Sequence, residues 1–232
     1  MSNFLNMAVH NEKIYLNKFS SKRYGIFLLI EKIYKKLINS EDHRLDIIIE
    51  KITQTQPLSI LEIGSGTFPI YAHLPKLLKQ KCSYYISEIN PEKVMFLKEI
   101  YKGKIDVVQA DALSLPYRDS FFDFVLSKGV LHHIDDNNSD QRKHKRLRFL
   151  SEIKRVLKKR GVGLIMDFNY NTRQSKSLLW HFLHRVILME GEHYFSNRAE
   201  VEDLFKIVEY ENIQSGEFDT FKGLYFYVTA KK

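Results

Sequence analysis

Four places along a chain of 232 residues carry side chains that could do chemistry together. They are Glu62 with Gly64 and Gly66; Glu88; Asp111; and the run from Ser127 to His133. Two glycines one residue apart let a ligand approach the backbone closely. A carboxylate at the end of a strand, as Glu88 is placed here, can accept the hydroxyl hydrogens of a ribose. A histidine with a pKa near neutrality, such as the neighbours His132 and His133 offer, can take a proton from a hydroxyl or an amine. The same residues argue against a dinucleotide: the glycine expected three positions after Gly66 is Pro69, and Asp111 would repel a pyrophosphate. An acid-lined site suits a phosphate-free ligand that bears a positive charge. The plainer alternatives are a turn acceptor for Glu62, a helix cap for Glu88 and a loop-shaping role for His133.

These residues need a frame that brings them together, and the pattern after Pro57 supplies one. Buried strands are predicted at Ser59 to Ile63, Ser83 to Ser87, Ile105 to Gln109, Phe122 to Ser127 and Val162 to Phe168, with helices between them. The glycine turn opens a helix through Ile70, Leu74, Leu77 and Leu78. Asn90-Pro91 starts one with Val94, Leu97 and Ile100 as its buried stripe. Leu147, Leu150, Ile153, Val156 and Leu157 mark another, which Gly161 ends. Asn197 caps a short helix through Val201, Leu204 and Phe205, and strands near Ile207 to Ile213 and Gly223 to Ala230 bring the total to seven. In an open parallel sheet ligands bind beyond the carboxyl ends of the strands, where all four places fall.

Residues 1–56 are expected to form a helical extension, with an amphipathic helix from Tyr24 to Ile38 and a second one capped by Asp42 through Leu45, Ile48, Ile49 and Ile52. Residues 57–232 form the main domain. A strongly apolar segment at about 170–196, with Leu178, Trp180, Phe182 and Val186, is expected as a cap over the site. With 44% apolar residues and only 10 Gly and 5 Pro, the composition is that of a globular protein. The one cysteine, Cys82, excludes an internal disulfide and a multi-cysteine metal site, so no metal is expected and the cytoplasm is the natural compartment. Gly25 to Ile30 is too short to span a membrane. The net charge of +8 admits a nucleic acid as partner. The cluster Arg142, Lys143, Lys145, Arg146 and Arg148 reads first as the solvated face of its helix.

Several stretches, taken in order, resemble the class I S-adenosylmethionine-dependent methyltransferases, in the broad group labelled methyltransferase type 11. Leu61 to Gly66 is similar to the family's first motif, and Ile86 to Pro91 to its second-strand segment. Gln109-Ala110-Asp111-Ala112 with Leu115-Pro116 and Asp119 to Asp123 resembles the stretch before the fourth strand. Ser127 to Ile134 resembles the next loop, and Glu152 to Lys158 the helix before the fifth strand. The resemblance implies an α/β, Rossmann-like, doubly wound sheet of order 3-2-1-4-5-7-6 with the last strand antiparallel. It implies S-adenosyl-L-methionine as cofactor and S-adenosyl-L-homocysteine as product. Glu62 would lie near the cofactor's methionine amino group, Gly64, Ser65 and Gly66 along its backbone, Glu88 with Ile89 at the ribose, Asp111 with Ala112 at the adenine, and Ser127 near the methionine moiety. Of the two histidines, the resemblance makes His133, at the family position that follows the fourth strand, the candidate base, with His132 pointing elsewhere. The chain departs from the family at Phe68, where a third glycine is common, and at Lys159-Arg160-Gly161-Val162, where Lys-Pro-Gly-Gly is usual. The expected function is methyl transfer to O, N or C of a small-molecule acceptor, a hydrophobic one if the apolar segment roofs the site. An RNA or protein methyltransferase using the basic face and a non-catalytic binding protein are the alternatives.

Overall fold

The computed structural model describes residues 43–66, 69–169, 196–220 and 223–232. Seven strands form one sheet in the order β3-β2-β1-β4-β5-β7-β6, built from β1 (Ser59–Ile63), β2 (Ser83–Glu88), β3 (Asp106–Gln109), β4 (Phe122–Lys128), β5 (Leu157–Phe168), β6 (Glu211–Thr220) and β7 (Gly223–Lys231). Strands β1 to β5 pair in parallel, and β7 runs antiparallel to both β5 and β6. The predicted class, strand count and order are those observed.

Every residue of β1 is buried, as a strand covered on both faces requires. One face packs Leu61, Ile63, Val125 and Ile165 against Phe149, Leu150 and Ile153 of α4 (Ser139–Val156) and Val201 and Phe205 of α5 (Arg198–Ile207). The other packs Ile60, Ile86, Phe124 and Leu164 against Ile48 and Ile52 of α1 (His43–Thr55) and Phe96 and Leu97 of α3 (Pro91–Tyr101). The side-chain amide oxygen of Asn90 accepts from the backbone N–H of Glu92 and Lys93, with Pro91 beginning the helix, as a cap predicts. Asn197 and Glu200 form a reciprocal capping box on α5.

The structure corrects several local expectations. The single helix predicted after the glycine turn is two pieces, a 3-10 turn at Ile70–His73 and α2 (Lys76–Lys81). Leu74 and Pro75 between them are extended, at ψ 141° and 145°, because the residue before a proline is pushed out of the helical region. In α3 Val94 and Leu97 are buried as expected, Phe96 and Tyr101 are buried with them, and Ile100 is only partly covered. Helix α4 ends at Val156, ahead of Gly161, since Leu157 already pairs with Phe122 as the first residue of β5. Ile207 closes α5 rather than opening a strand, and a turn with Glu209 at φ 60° precedes β6. The basic cluster of α4 is not wholly solvated: Arg146 is buried, donating to the Ile134 carbonyl at 3.1 Å and to Ser196 Oγ at 2.5 Å. The helix expected at Tyr24 to Ile38, the Asp42 cap, Phe68 and the cap segment with Trp180 lie outside the described residues.

Candidate functional site

Beyond the carboxyl ends of β1 to β4 lies a cavity of about 280 Å³. Register explains why it forms there. Ile63 at the end of β1 stands opposite Ser87 of β2 and Ser127 of β4, and Glu88 stands opposite Gln109 of β3. The next residues of each chain segment therefore turn away over one common mouth. Ile63 and Gly64 line it from β1; Ser87, Glu88 and Ile89 from β2; Ala110, Asp111, Ala112 and Leu113 from the loop after β3; and Val130, His133, Ile134, Asp135 and Lys145 from the segment after β4 and from α4. Of the sequence-predicted residues, Gly64, Glu88, Ile89, Asp111, Ala112 and His133 come together on this wall. Glu62, Ser65, Gly66 and Ser127 lie behind or beside it and are not part of the lining.

Gly64 sits at φ 65°, and a Cβ there would overlap Cγ2 of Val130 across the mouth. Only glycine meets both constraints. Its N–H donates to the Ser87 carbonyl at 2.7 Å, stitching the turn to β2. The Glu88 carboxylate is buried and organises the corner: Oε2 accepts from Gly66 N at 3.0 Å and Oε1 from Asn90 N at 3.0 Å. The cap of α3 is Asn90, not Glu88, which instead holds the N–H of that cap residue. Each oxygen still has a lone pair for a further donor. Asp111 Oδ1 accepts from Leu113 N at 2.8 Å and so fixes its own loop.

Two features suit a flat, polar ligand. Ile89 is 64% exposed, an apolar side chain left bare at the cavity wall. Ser87 is 99% buried and its hydroxyl has no hydrogen-bond partner among the described residues. Ser127 Oγ is also unpaired, but outside the lining. An unpaired buried hydroxyl costs about 1–3 kcal/mol, which a ligand donor or acceptor would recover. Charge points the same way, because Glu88, Asp111 and Asp135 line the cavity with a single cation, Lys145, whose Nζ is tied to Asp136 Oδ2 at 2.8 Å.

Glu62 lies under the site. It is 1% exposed, and its carboxylate accepts from Tyr84 Oη at 2.6 Å and from Ile70 N at 2.9 Å, joining β2 to the segment that follows the glycine turn. Burial raises its pKa to about 7 against the opposing pull of the Tyr84 hydrogen bond and the Lys128 charge. Sequence reasoning missed a second buried group. His132 Nδ1 lies 2.8 Å from Asp167 Oδ1, and Asp167 also accepts from His132 N at 3.1 Å and Phe168 N at 2.8 Å. The His133 ring packs on that of His132 with centroids 4.1 Å apart. The signal available was an aspartate inside the apolar strand Leu164-Ile165-Met166-Asp167-Phe168.

Residues 61–165 match the model of the family described as a methyltransferase domain. A curated relative from Francisella tularensis, named ubiquinone/menaquinone biosynthesis C-methyltransferase UbiE, is 25% identical over 151 residues, covering 59% of this chain and 56% of its own length. The chain thus spans about half the length of the curated relatives it matches. A SAM-dependent methyltransferase structure from Methanosarcina mazei superposes with a TM-score of 0.58 at 23% identity, over 80% of this chain and 96% of its own. A Thermotoga maritima structure described as a SAM-dependent methyltransferase, possible histamine N-methyltransferase, gives 0.64 at 18% identity over 96% and 99%. At those identities the structures establish a common fold.

Proposed function

We propose that the chain is a class I S-adenosylmethionine-dependent methyltransferase, as the match of residues 61–165 to a methyltransferase domain supports, and that it binds S-adenosyl-L-methionine in the cavity beyond β1 to β4. There it transfers the methyl group to O, N or C of a small-molecule acceptor. The observation that carries this reading is the wall itself: Glu88, Asp111 and Asp135 around a mouth whose turn, at Gly64, leaves no room for a side chain. When bound, the cofactor supplies a methyl group on a positively charged sulfur, open to in-line attack.

The residues present fit that cofactor. Glu88 would hold the ribose hydroxyls with the lone pairs that Gly66 and Asn90 leave free. Ile89 and Leu113 offer apolar surfaces for the adenine, and Asp111 with the Ala112 backbone its polar edge. Ser87 Oγ has a hydrogen bond to give or accept. The acidic wall favours the sulfonium and the methionine ammonium and disfavours phosphates. Because displacement from a sulfonium needs alignment more than acid catalysis, the protein's main task is to position the acceptor and keep water out. His133, on the wall after β4, is the group placed to take a proton from a hydroxyl or amine acceptor, with His132 and Asp167 fixing the segment beneath it. The curated relatives' names make a carbon acceptor on a quinone-type ring the first class to try.

A crystal structure with S-adenosyl-L-homocysteine tests the assignment. Expected are the ribose on Glu88, the adenine between Ile89 and Leu113, and the sulfur turned toward the His133 side. A ligand seated elsewhere, or reversed so that the adenine meets His133, would overturn it.

A further inference from the structure

At the other end of the sheet lies a second cavity, of about 580 Å³, with no residue in common with the first. Its walls come from the last turns of α1, the early part of β5, the start of β6 and the end of β7, so it lies at the amino ends of the parallel strands. Three cations line it, Lys51, Arg160 and Lys231, and no acidic side chain does. Glu211, opposite Lys231 in the strand register, and Glu50, which accepts from Gln54 Nε2 at 2.8 Å, are neighbours outside the lining. None of the three cations makes an ion pair with a described residue. This differs from α4, where Arg142 and Lys145 are held by Asp135 and Asp136.

Two irregularities of the sheet build the cavity. Between Phe122 and Phe124 of β4 the pairing of β5 jumps from Leu157 to Val162, so Lys158 to Gly161 bow out of the ladder. Arg160 stands on that bow at φ 66°, pinned by its N–H to the Lys232 carbonyl at 3.0 Å. In β6 the register slips between Glu211 and Gln214, and Asn212 sits there at φ 51°. Both bulges deliver side chains to this one cavity, as bulges that re-aim a side chain do. An arginine in a left-handed conformation carries a backbone cost that glycine would not. Thr229, which is 95% buried, also lines the cavity. Lys51 Nζ lies 5.8 Å from the centroid of the Tyr227 ring, which holds the ammonium over the sheet.

We propose that this cavity is a binding site for a phosphorylated small molecule. Converging cations with no acidic side chain in the lining repel one another, and a phosphate removes that repulsion while offering acceptors to the guanidinium, two ammoniums and the Thr229 hydroxyl. The volume exceeds what a bare ion fills, leaving room for the organic part beside Gln54 and Gln214. Its position at the opposite end of the strands makes it a site separate from the methyl-transfer cleft.

Calorimetric titration of the whole protein with inorganic pyrophosphate tests this. Saturable one-to-one binding is expected, weakened by about tenfold or more in Arg160→Gly and in Lys231→Ala, while S-adenosyl-L-homocysteine affinity is unchanged in both. Arg160→Gly suits the observed φ, so its fold should hold, and an unchanged melting temperature checks that. Absent binding, or binding that neither substitution weakens, overturns the proposal. Tighter binding of single-stranded RNA than of pyrophosphate, lost in the same variants, also overturns it in favour of a nucleic-acid surface.

Discussion

Glu62 illustrates how far a single residue can be read from its neighbours in sequence. Its place at the end of β1 was legible from the apolar run before it. Its partners were not, because Tyr84 arrives through the register of β2 and Ile70 N through a 3-10 turn that replaced the predicted helix. The pairing has a measurable sign. A carboxyl with pKa about 7 in the folded protein and an ordinary value near 4.5 when unfolded keeps a proton in the native state that the unfolded chain has lost. Its contribution to stability is therefore complete below about pH 4.5 and disappears as pH rises through 7. The full effect is on the order of 3 kcal/mol. Glu62→Gln keeps an acceptor for Ile70 N and does not titrate. The wild type should thus lose stability against this variant between pH 5 and pH 8, read as diverging denaturation midpoints; parallel curves would show that Glu62 has no raised pKa. His132 and Asp167 make the same point about legibility. Contact between residues 35 positions apart depends on where β4 and β5 end, and the sequence shows only that an acid interrupts an apolar strand.

At the scale of elements, the turn after β1 is where fold and binding meet. Gly64 and Gly66 both have positive φ, at 65° and 62°. They differ in surroundings, since a Cβ on Gly64 would strike Val130 while one on Gly66 meets nothing within 4 Å. Gly66→Ala should therefore cost only backbone strain, about 1 kcal/mol, and report on the ligand through lost affinity. Gly64→Ala should cost more, about 2–3 kcal/mol, because strain and overlap combine. Equal melting temperatures for the two variants would contradict this account of the turn. The strands of the sheet were legible because alternating helices and fully buried runs have few other arrangements. The break at Pro75 follows from the proline itself, whereas the end of α4 ahead of Gly161 was set by tertiary pairing. Leu157 leaves its helix early to join Phe122, which no local propensity announces.

At the scale of the whole molecule, two regions of opposite charge lie at opposite ends of one sheet. The acidic mouth lies over the carboxyl ends of β1 to β4, and the basic cavity lies at the other end. The acidic strand ends were readable as a group from sequence, since each falls just after a predicted strand. The basic cavity was not, because Lys51, Arg160 and Lys231 are far apart in the chain and meet only through β5 and β7 pairing and two bulges. No described helix is long and apolar enough to cross a membrane. A ligand that binds only the folded chain stabilises it by about 2.7 kcal/mol at a hundred times its dissociation constant, so occupancy of the mouth is visible in stability as well as in heat. The most direct test of the central claim is a calorimetric titration of S-adenosyl-L-homocysteine, with NAD as the comparison and Glu88→Gln as the control. The account predicts one-to-one binding of S-adenosyl-L-homocysteine, no comparable binding of NAD, and affinity lower by about ten- to a hundredfold in Glu88→Gln, where one acceptor becomes a donor. Absence of S-adenosyl-L-homocysteine binding to the wild type, or tighter binding of NAD, would contradict it.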